Sequence, residues 1–260
     1  MNELRVRLDP CNPGQFLACC GLFELLDLEY PGLLARFEYD ANRPRLAHFV
    51  ASAENDGAVG VVLGKLRQSV LDFSVESDRL EASILPARIV YPNGAIELDW
   101  WLDEFRESTV NLKCWAGQVT TKGLFSELQP LLDPSADGQS LFHTPSMTKS
   151  KFGVDPRSAW NALDLGFSPN EHGRDSATFA AVEVLAAVGL QTFRPDANRR
   201  ESVRYSLWFD PLPCLVARVA FRAPWNGLRR RSYRFAIDKR GQSYKYFTFA
   251  EEESSGDQVA

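Results

Sequence analysis

Polar and apolar residues alternate over residues 3–9, ELRVRLD, and this period of two predicts a strand. Asn12-Pro13-Gly14 follows, with Asn12 suited to cap a helix and Pro13 to open one. Beyond it the apolar spacing changes. Phe16, Cys19, Cys20, Phe23 and Leu26 recur every three or four residues, and Leu17, Leu22 and Leu25 widen the stripe. A helix over 13–29 is therefore predicted to be buried on most sides and to end at Pro31-Gly32. Residues 34–39 fit a second strand, and 57–71 a helix weakened by Gly57, Gly60 and Gly64. Residues 71–75, 87–91 and 95–99 read as strands, the last two joined at Pro92-Asn93-Gly94. A helix over 118–132 precedes a loop-rich stretch from Asp133 to Gly153. Residues 175–192 predict the second long helix, with Phe179, Val182, Leu185, Ala186 and Gly189 on its packed face. The remainder reads as strands at 203–209, 214–222, 231–237 and 243–249, with a hairpin at Asp238-Lys239-Arg240-Gly241.

No internal repeat or low-complexity linker interrupts this pattern. It predicts one α+β domain over 1–250, with an elaborated antiparallel sheet and two main buried helices, and a disordered acidic tail over 251–260. With 45% hydrophobic and 24% charged residues in 260, wholesale disorder is excluded. No run approaches the ~18 apolar residues of a membrane span, and the charged opening MNELRVRLDP is unlike a secretory signal. Cys11, Cys19, Cys20, Cys114 and Cys214 are odd in number and contain no CxxC spacing. Reduced thiols and a cytoplasmic location are expected rather than a disulfide or zinc framework.

Charge changes the picture. Residues 1–112 carry 10 basic and 18 acidic side chains, whereas 194–245 carry 13 basic and 4 acidic. The basic residues of that later segment are mostly Arg and are interleaved with Tyr205, Trp208, Trp225, Tyr233 and Phe247. Basic groups neutralise phosphates and aromatic faces stack bases, so the mixture suits single-stranded nucleic acid. Strands with apolar residues inside and Arg outside show the same alternation. Asp9 to Gln15 is a strand-to-helix turn whose free amides could attract phosphate or simply cap the helix.

Catalytic patterns are sparse. His48, His143 and His172 are isolated, and HExxH, GxSxG, GxGxxG and GxxxxGK[ST] are all absent. Asp99, Asp103 and Glu104 flank Trp100-Trp101 and could bind a metal or do acid–base work, but an acidic edge beside buried indoles is the commoner arrangement. No catalytic residue, metal or cofactor is assigned. Adjacent Cys19 and Cys20 would point about 100° apart on a helix, which suits core packing.

Four segments carry a family resemblance: NPGQFLACCGLFELLD after the first strand, LDWW at 98–101, KCWAGQ at 113–118 and KFGVDPRSAWNALDLGFSPNE at 151–171. Together they resemble a CRISPR-associated protein family of type I-G systems, formerly called type I-U. The resemblance implies a subunit or accessory of a crRNA-guided surveillance complex, in which base pairing reads sequence while subunits hold the nucleic-acid backbone and one another. It also implies a ferredoxin-like, RNA-recognition-type core, and it transfers no catalytic residue. On that reading the partners are crRNA or target DNA and other CRISPR effector subunits, with no membrane. The expected contacts are Lys149, Lys151, Phe152 and Arg157 on the central loop, and Arg199, Arg200, Arg204, Arg229, Arg230, Arg231 and Arg234 on the basic strands. Phe152, Trp160 or Trp225 would supply stacking. The alternatives are a metal-dependent nuclease or crRNA-processing ribonuclease, and a protein-binding adaptor that docks through the acidic N-terminal half.

Overall fold

The structure is a computed structural model that describes residues 3–53, 57–73, 84–91, 94–159, 175–222, 227–240 and 244–253. Its main sheet has the order β1 (Leu4–Leu8), β3 (Arg43–Ala51), β2 (Leu34–Asp40) and β10 (Leu212–Pro213). β3 runs antiparallel to both β1 and β2, so those two are parallel and α1 (Pro13–Glu29) is the crossover between them. α1 begins as its sequence predicts: Asn12 Oδ1 accepts from the Gln15 amide and Pro13 occupies the first turn.

Every residue of α1 from Pro13 to Leu26 is buried. On one side Phe16 and Phe23 meet Phe37 and Phe49 of the sheet, at ring separations of 5.5 and 5.7 Å. On the other lies α4 (Ala180–Thr192). The two helices touch backbone to backbone. A Cβ on Gly21 would lie 1.9 Å from the Leu185 carbonyl oxygen, and one on Gly189 would lie 2.2 Å from that of Leu17. Only glycine allows this approach.

The central strand β3 has no counterpart among the predicted elements. Its inward positions include Ala47 and Ala51 beside Phe49, and small residues dilute the alternation that marks a strand. A ferredoxin-like sheet would place a fourth strand on the free side of β1. Here the Arg7 amide on that side donates to the Gly138 carbonyl at 2.9 Å, and the additional strand, β10, joins β2 instead. The molecule is thus α+β with antiparallel sheets. α2 (Ala58–Gln68) and α3 (Thr121–Leu128) occur within the predicted helical segments.

A second sheet has the order β14 (Glu251–Glu252), β11 (Arg230–Phe235) and β9 (Val203–Trp208). The tail was expected to be disordered from Glu251, but its first residues are paired along β11. Residues 254–260 lie outside the described set. The Tyr205 hydroxyl donates to Pro10 O at 2.6 Å and Trp208 Nε1 to Ala35 O at 2.9 Å, tying β9 to the main sheet. Residues 214–222 were expected to be a strand, but Cys214–Ala220 form a helix, α5. Its buried Cys214, Ala217 and Ala220 recur every three residues, and Leu215 and Val219 face solvent.

Smaller elements complete the fold: β4 (Val70–Asp72), β5 (Ala87–Tyr91) and β6 (Gly94–Leu98) in one sheet, β7 (Ser146–Thr148) with β8 (Ser176–Thr178), and β12 (Ile237–Arg240) with β13 (Tyr244–Phe247). One hydrophobic cluster connects residues from Leu4 to Ala250. Among the described residues no helix is long and apolar enough to cross a membrane.

Candidate nucleic-acid interface

Two antiparallel strand pairs set like charges against each other. Arg204 of β9 is directly opposite Arg234 of β11, and both are exposed. Lys239 of β12 is directly opposite Lys245 of β13. Like charges in that position destabilise a sheet; Glu253 beside Arg204 and Glu251, opposite Arg234 on β14, offset part of this in the first pair, and a bound anion would offset more. The segment before β9 connects the two pairs. Arg200 Nε donates to Asn111 Oδ1 at 2.7 Å, and Lys245 Nζ donates to Asn111 O at 3.2 Å. Burial lowers the Lys245 pKa, and the charges of Arg200 and Lys239 add to the effect.

Arg199 and Arg204 line a cleft of about 550 Å³ together with Asp196, Asn198, Ser202 and Arg222. A second hollow of about 680 Å³ continues past Asp196, Asn198 and Arg222 to Arg194, Asp103 and Glu104. Arg194 is half-buried and its Nη2 donates to Leu102 O at 2.7 Å. Among the described residues Arg199, Arg222 and Arg234 make no ion pair.

Three other basic residues of this region have carboxylate neighbours. Arg204 Nε lies 2.6 Å from Glu253, Arg229 Nη2 lies 2.8 Å from Asp210, and Arg231 lies 3.5 Å from Glu252. The Arg231 guanidinium also covers the Tyr39 ring at 4.3 Å. Arg230 is partly buried. The Arg229 and Arg231 pairs are exposed and worth about 0–1 kcal/mol, so a phosphate can displace those carboxylates at little cost, whereas the Glu253 side chain is largely buried against Arg204.

The central loop departs from expectation. Lys149 is exposed, but Lys151 and Phe152 are interior. Lys151 Nζ donates to Ser158 O and Ser176 Oγ. Phe152 packs on Trp115 at 5.5 Å and Phe125 at 5.1 Å, in a cluster that also holds Trp100 and Trp101. Neither side chain reaches a ligand in this fold, because the LDWW, KCWAGQ and KFG segments converge into one aromatic core. Arg157 is turned inward too. Its Nε and Nη2 grip Asp155 at 3.0 and 2.6 Å, and its guanidinium stacks 3.5 Å from the Phe179 ring centroid.

Asp155 explains a second motif. It is buried and accepts from Asn12 Nδ2 at 2.9 Å, so the 151–157 segment seals the start of α1. A Cβ on Gly14 would lie 2.6 Å from Val154 O. The start of α1, where an external phosphate would have been held, is thus covered by the chain's own 151–157 segment.

Glu183, on α4, completes this buried network. It accepts from the Gly153 amide at 2.9 Å and the Asp155 amide at 3.2 Å. Burial, reinforced by the Asp155 charge, pushes its carboxyl up to about 7. The folded protein therefore holds this proton more tightly than the unfolded chain, whose ordinary value is 4.5. The stabilisation is fully present below pH 4.5 and is lost as pH rises through about 7. Denaturant unfolding between pH 4 and 8 is expected to show this decline, and Glu183→Gln, which mimics the protonated form, should flatten it. An equally steep decline in the variant would assign the effect elsewhere.

The acidic candidates serve the fold near Trp100. Asp99 pairs with Arg106 at 2.6 Å and accepts from Gln191, while Asp103 accepts from Glu107 N, Ser108 N and Ser108 Oγ. Glu104 is exposed on the cleft. His48 is partly buried on β3 and His143 is exposed. His172, Trp160 and Trp225 lie outside the described residues. Among the described residues no three His, Cys, Asp or Glu side chains gather as metal ligands. Arg194, Arg222 and Asn111 were not singled out in the sequence; the two Arg lie in its basic stretch, and Asn111 carries no local signal. Comparison with protein-family models, with curated proteins and with solved structures finds no match for this chain.

Proposed function

We propose that this chain is a non-catalytic subunit of a type I CRISPR RNA-guided complex, of the type I-G (formerly I-U) kind. It binds the backbone of crRNA or target DNA and contacts neighbouring subunits in the cytoplasm. The observation that carries the nucleic-acid part of this reading is the two in-register like-charge pairs, Arg204–Arg234 and Lys239–Lys245, with Arg199 beside Arg204 on the cleft and Arg200 sharing Asn111 with Lys245. The resemblance of the four sequence segments supports it. So does the β1–α1–β2 crossover with β3 between its strands, the unit with which RNA-recognition-type folds open.

The test is fluorescence-anisotropy binding of single-stranded RNA, single-stranded DNA and duplex DNA over a salt series, with cleavage followed on gels. Affinity is expected to fall steeply with salt and the strands to stay intact. Replacing Arg204, Arg234 and Lys239 with alanine should flatten the logarithmic salt slope by about 2 units, near 0.7 for each phosphate of a single strand that is no longer neutralised. An unchanged slope in a folded triple variant would remove these residues from the interface. Absence of binding at low salt would favour the adaptor role, and cleavage would favour the nuclease.

A further inference from the structure

The cleft beside Arg204 is divided by charge in a way that a continuous polyanion track is not. One half presents Arg199 and Arg204, with Ser202 as an additional polar group. The other half presents Asp103 and Glu104 with Arg194, and Asp196, Asn198 and Arg222 are shared by both. A strand running the whole length would carry phosphates past three carboxylates, which repel them. A ligand with one anionic end and a body rich in donors fits both halves. Carboxylates accept from sugar hydroxyls and from exocyclic base amines.

A third feature stands at the acidic end. Phe105 is 81% exposed, and the residue before it, Glu104, lines the cleft. The loop that carries it is firmly built. Leu102 and Thr109 form a bridge, Asp103 accepts two backbone amides, and Arg106, at a φ of 56°, is anchored on Asp99. An aromatic face held in solvent by such a loop is a stacking platform. The volumes, about 550 and 680 Å³, are in the range of small-ligand sites.

We propose that this cleft binds a single nucleotide, its phosphate on Arg199, Arg204 and Arg222 and its sugar and base toward Glu104, Asp196 and Phe105. The nucleotide is either free or the phosphorylated end of a strand, and only the second case rests on the nucleic-acid reading above. Arg supplies forked, permanently charged donors, and a terminal phosphate offers them three free oxygens and up to two charges where an internal linkage offers two oxygens and one charge.

The test uses the full chain in calorimetry with adenosine 5′-monophosphate, uridine 5′-monophosphate, adenosine and inorganic phosphate. A parallel arm compares 5′-phosphorylated with 5′-hydroxyl RNA of one sequence. Nucleotide binding is expected to weaken about tenfold or more in Arg222→Ala. It should weaken about fivefold or more in Phe105→Ala, a surface change that keeps the test valid if the Arg variant does not fold. Adenosine and phosphate alone should each bind more weakly than the nucleotide. A gain from the 5′-phosphate that Arg222→Ala abolishes identifies a strand end, and nucleotide binding without such a gain identifies a free nucleotide. Nucleotide affinity unaffected by both variants, or no nucleotide binding in the millimolar range, overturns the proposal. RNA binding with a normal salt slope but no end preference and no nucleotide binding would overturn it while leaving the nucleic-acid reading intact.

Discussion

Gly21→Ala is expected to destabilise the protein by about 3 kcal/mol or more, although alanine is the better helix former by about 1 kcal/mol. The sign decides between two physical accounts. Propensity alone predicts a gain, because Gly21 lies inside α1. Packing predicts a loss, because the added methyl carbon would lie 1.9 Å from the Leu185 carbonyl oxygen. That neighbour is backbone and cannot rotate away, so α1 and α4 must separate and loosen the packing of the whole buried face. Gly189→Ala should behave alike, since its methyl carbon would meet Leu17 O at 2.2 Å. The double variant should cost less than the sum, because either methyl already forces the same separation. Urea unfolding of the three variants measures all of this. A gain in stability from either single substitution would show that the helices do not cross this closely.

Asp155→Ala is expected to cost about 3 kcal/mol, the lower end of the range for removing one partner of a buried ion pair, since Asp155 is fully buried and Arg157 only partly. Its carboxylate receives the Arg157 guanidinium, the Arg157 amide and the Asn12 side-chain amide. Without it Arg157 keeps the Phe179 ring among the described residues, and the buried Asn12 amide loses an acceptor. Asp155→Asn keeps an oxygen but not the charge, and should fall between the two. Equilibrium unfolding gives the magnitudes. Hydrogen exchange in the first turn of α1 gives the location, since Asn12 both caps that turn and contacts Asp155. A loss below about 1 kcal/mol for the alanine variant, with no local rise in exchange, would mean that the network contributes little.

Much of the architecture is legible where a local rule and the tertiary environment agree. α1 was expected over 13–29 and spans those residues, because its cap, its opening proline and its apolar spacing all act locally. Where a tertiary partner decides, the reading fails. β3 has small inward residues and is a strand because β1 and β2 flank it. Residues 214–220 have strand-like composition, but Cys214, Ala217 and Ala220 find one buried side only as a helix. The site divides in the same way. Arg204 and Arg234 are exposed because a basic strand turns its charges outward, and Arg199 is exposed in the turn before β9. Lys151, Phe152 and Arg157 resemble a phosphate loop in sequence, yet Glu183 and the Trp100 and Trp115 indoles, distant in the chain, hold the segment inside, and Asp155 turns Arg157 inward. No local pattern announces a carboxylate nearly thirty residues away.

The close crossing of α1 and α4 also sets the order of events during synthesis. α1 is apolar on almost every side, and the helix that covers it is completed only some 170 residues later. At translation rates of about 5–20 residues per second that interval lasts roughly 10–30 s. For all of it a sticky helix beside an unfinished sheet is present on the ribosome, with sequence-distant contacts that cannot yet form. Until the second helix emerges, the face of α1 that it will cover has no partner from within the chain.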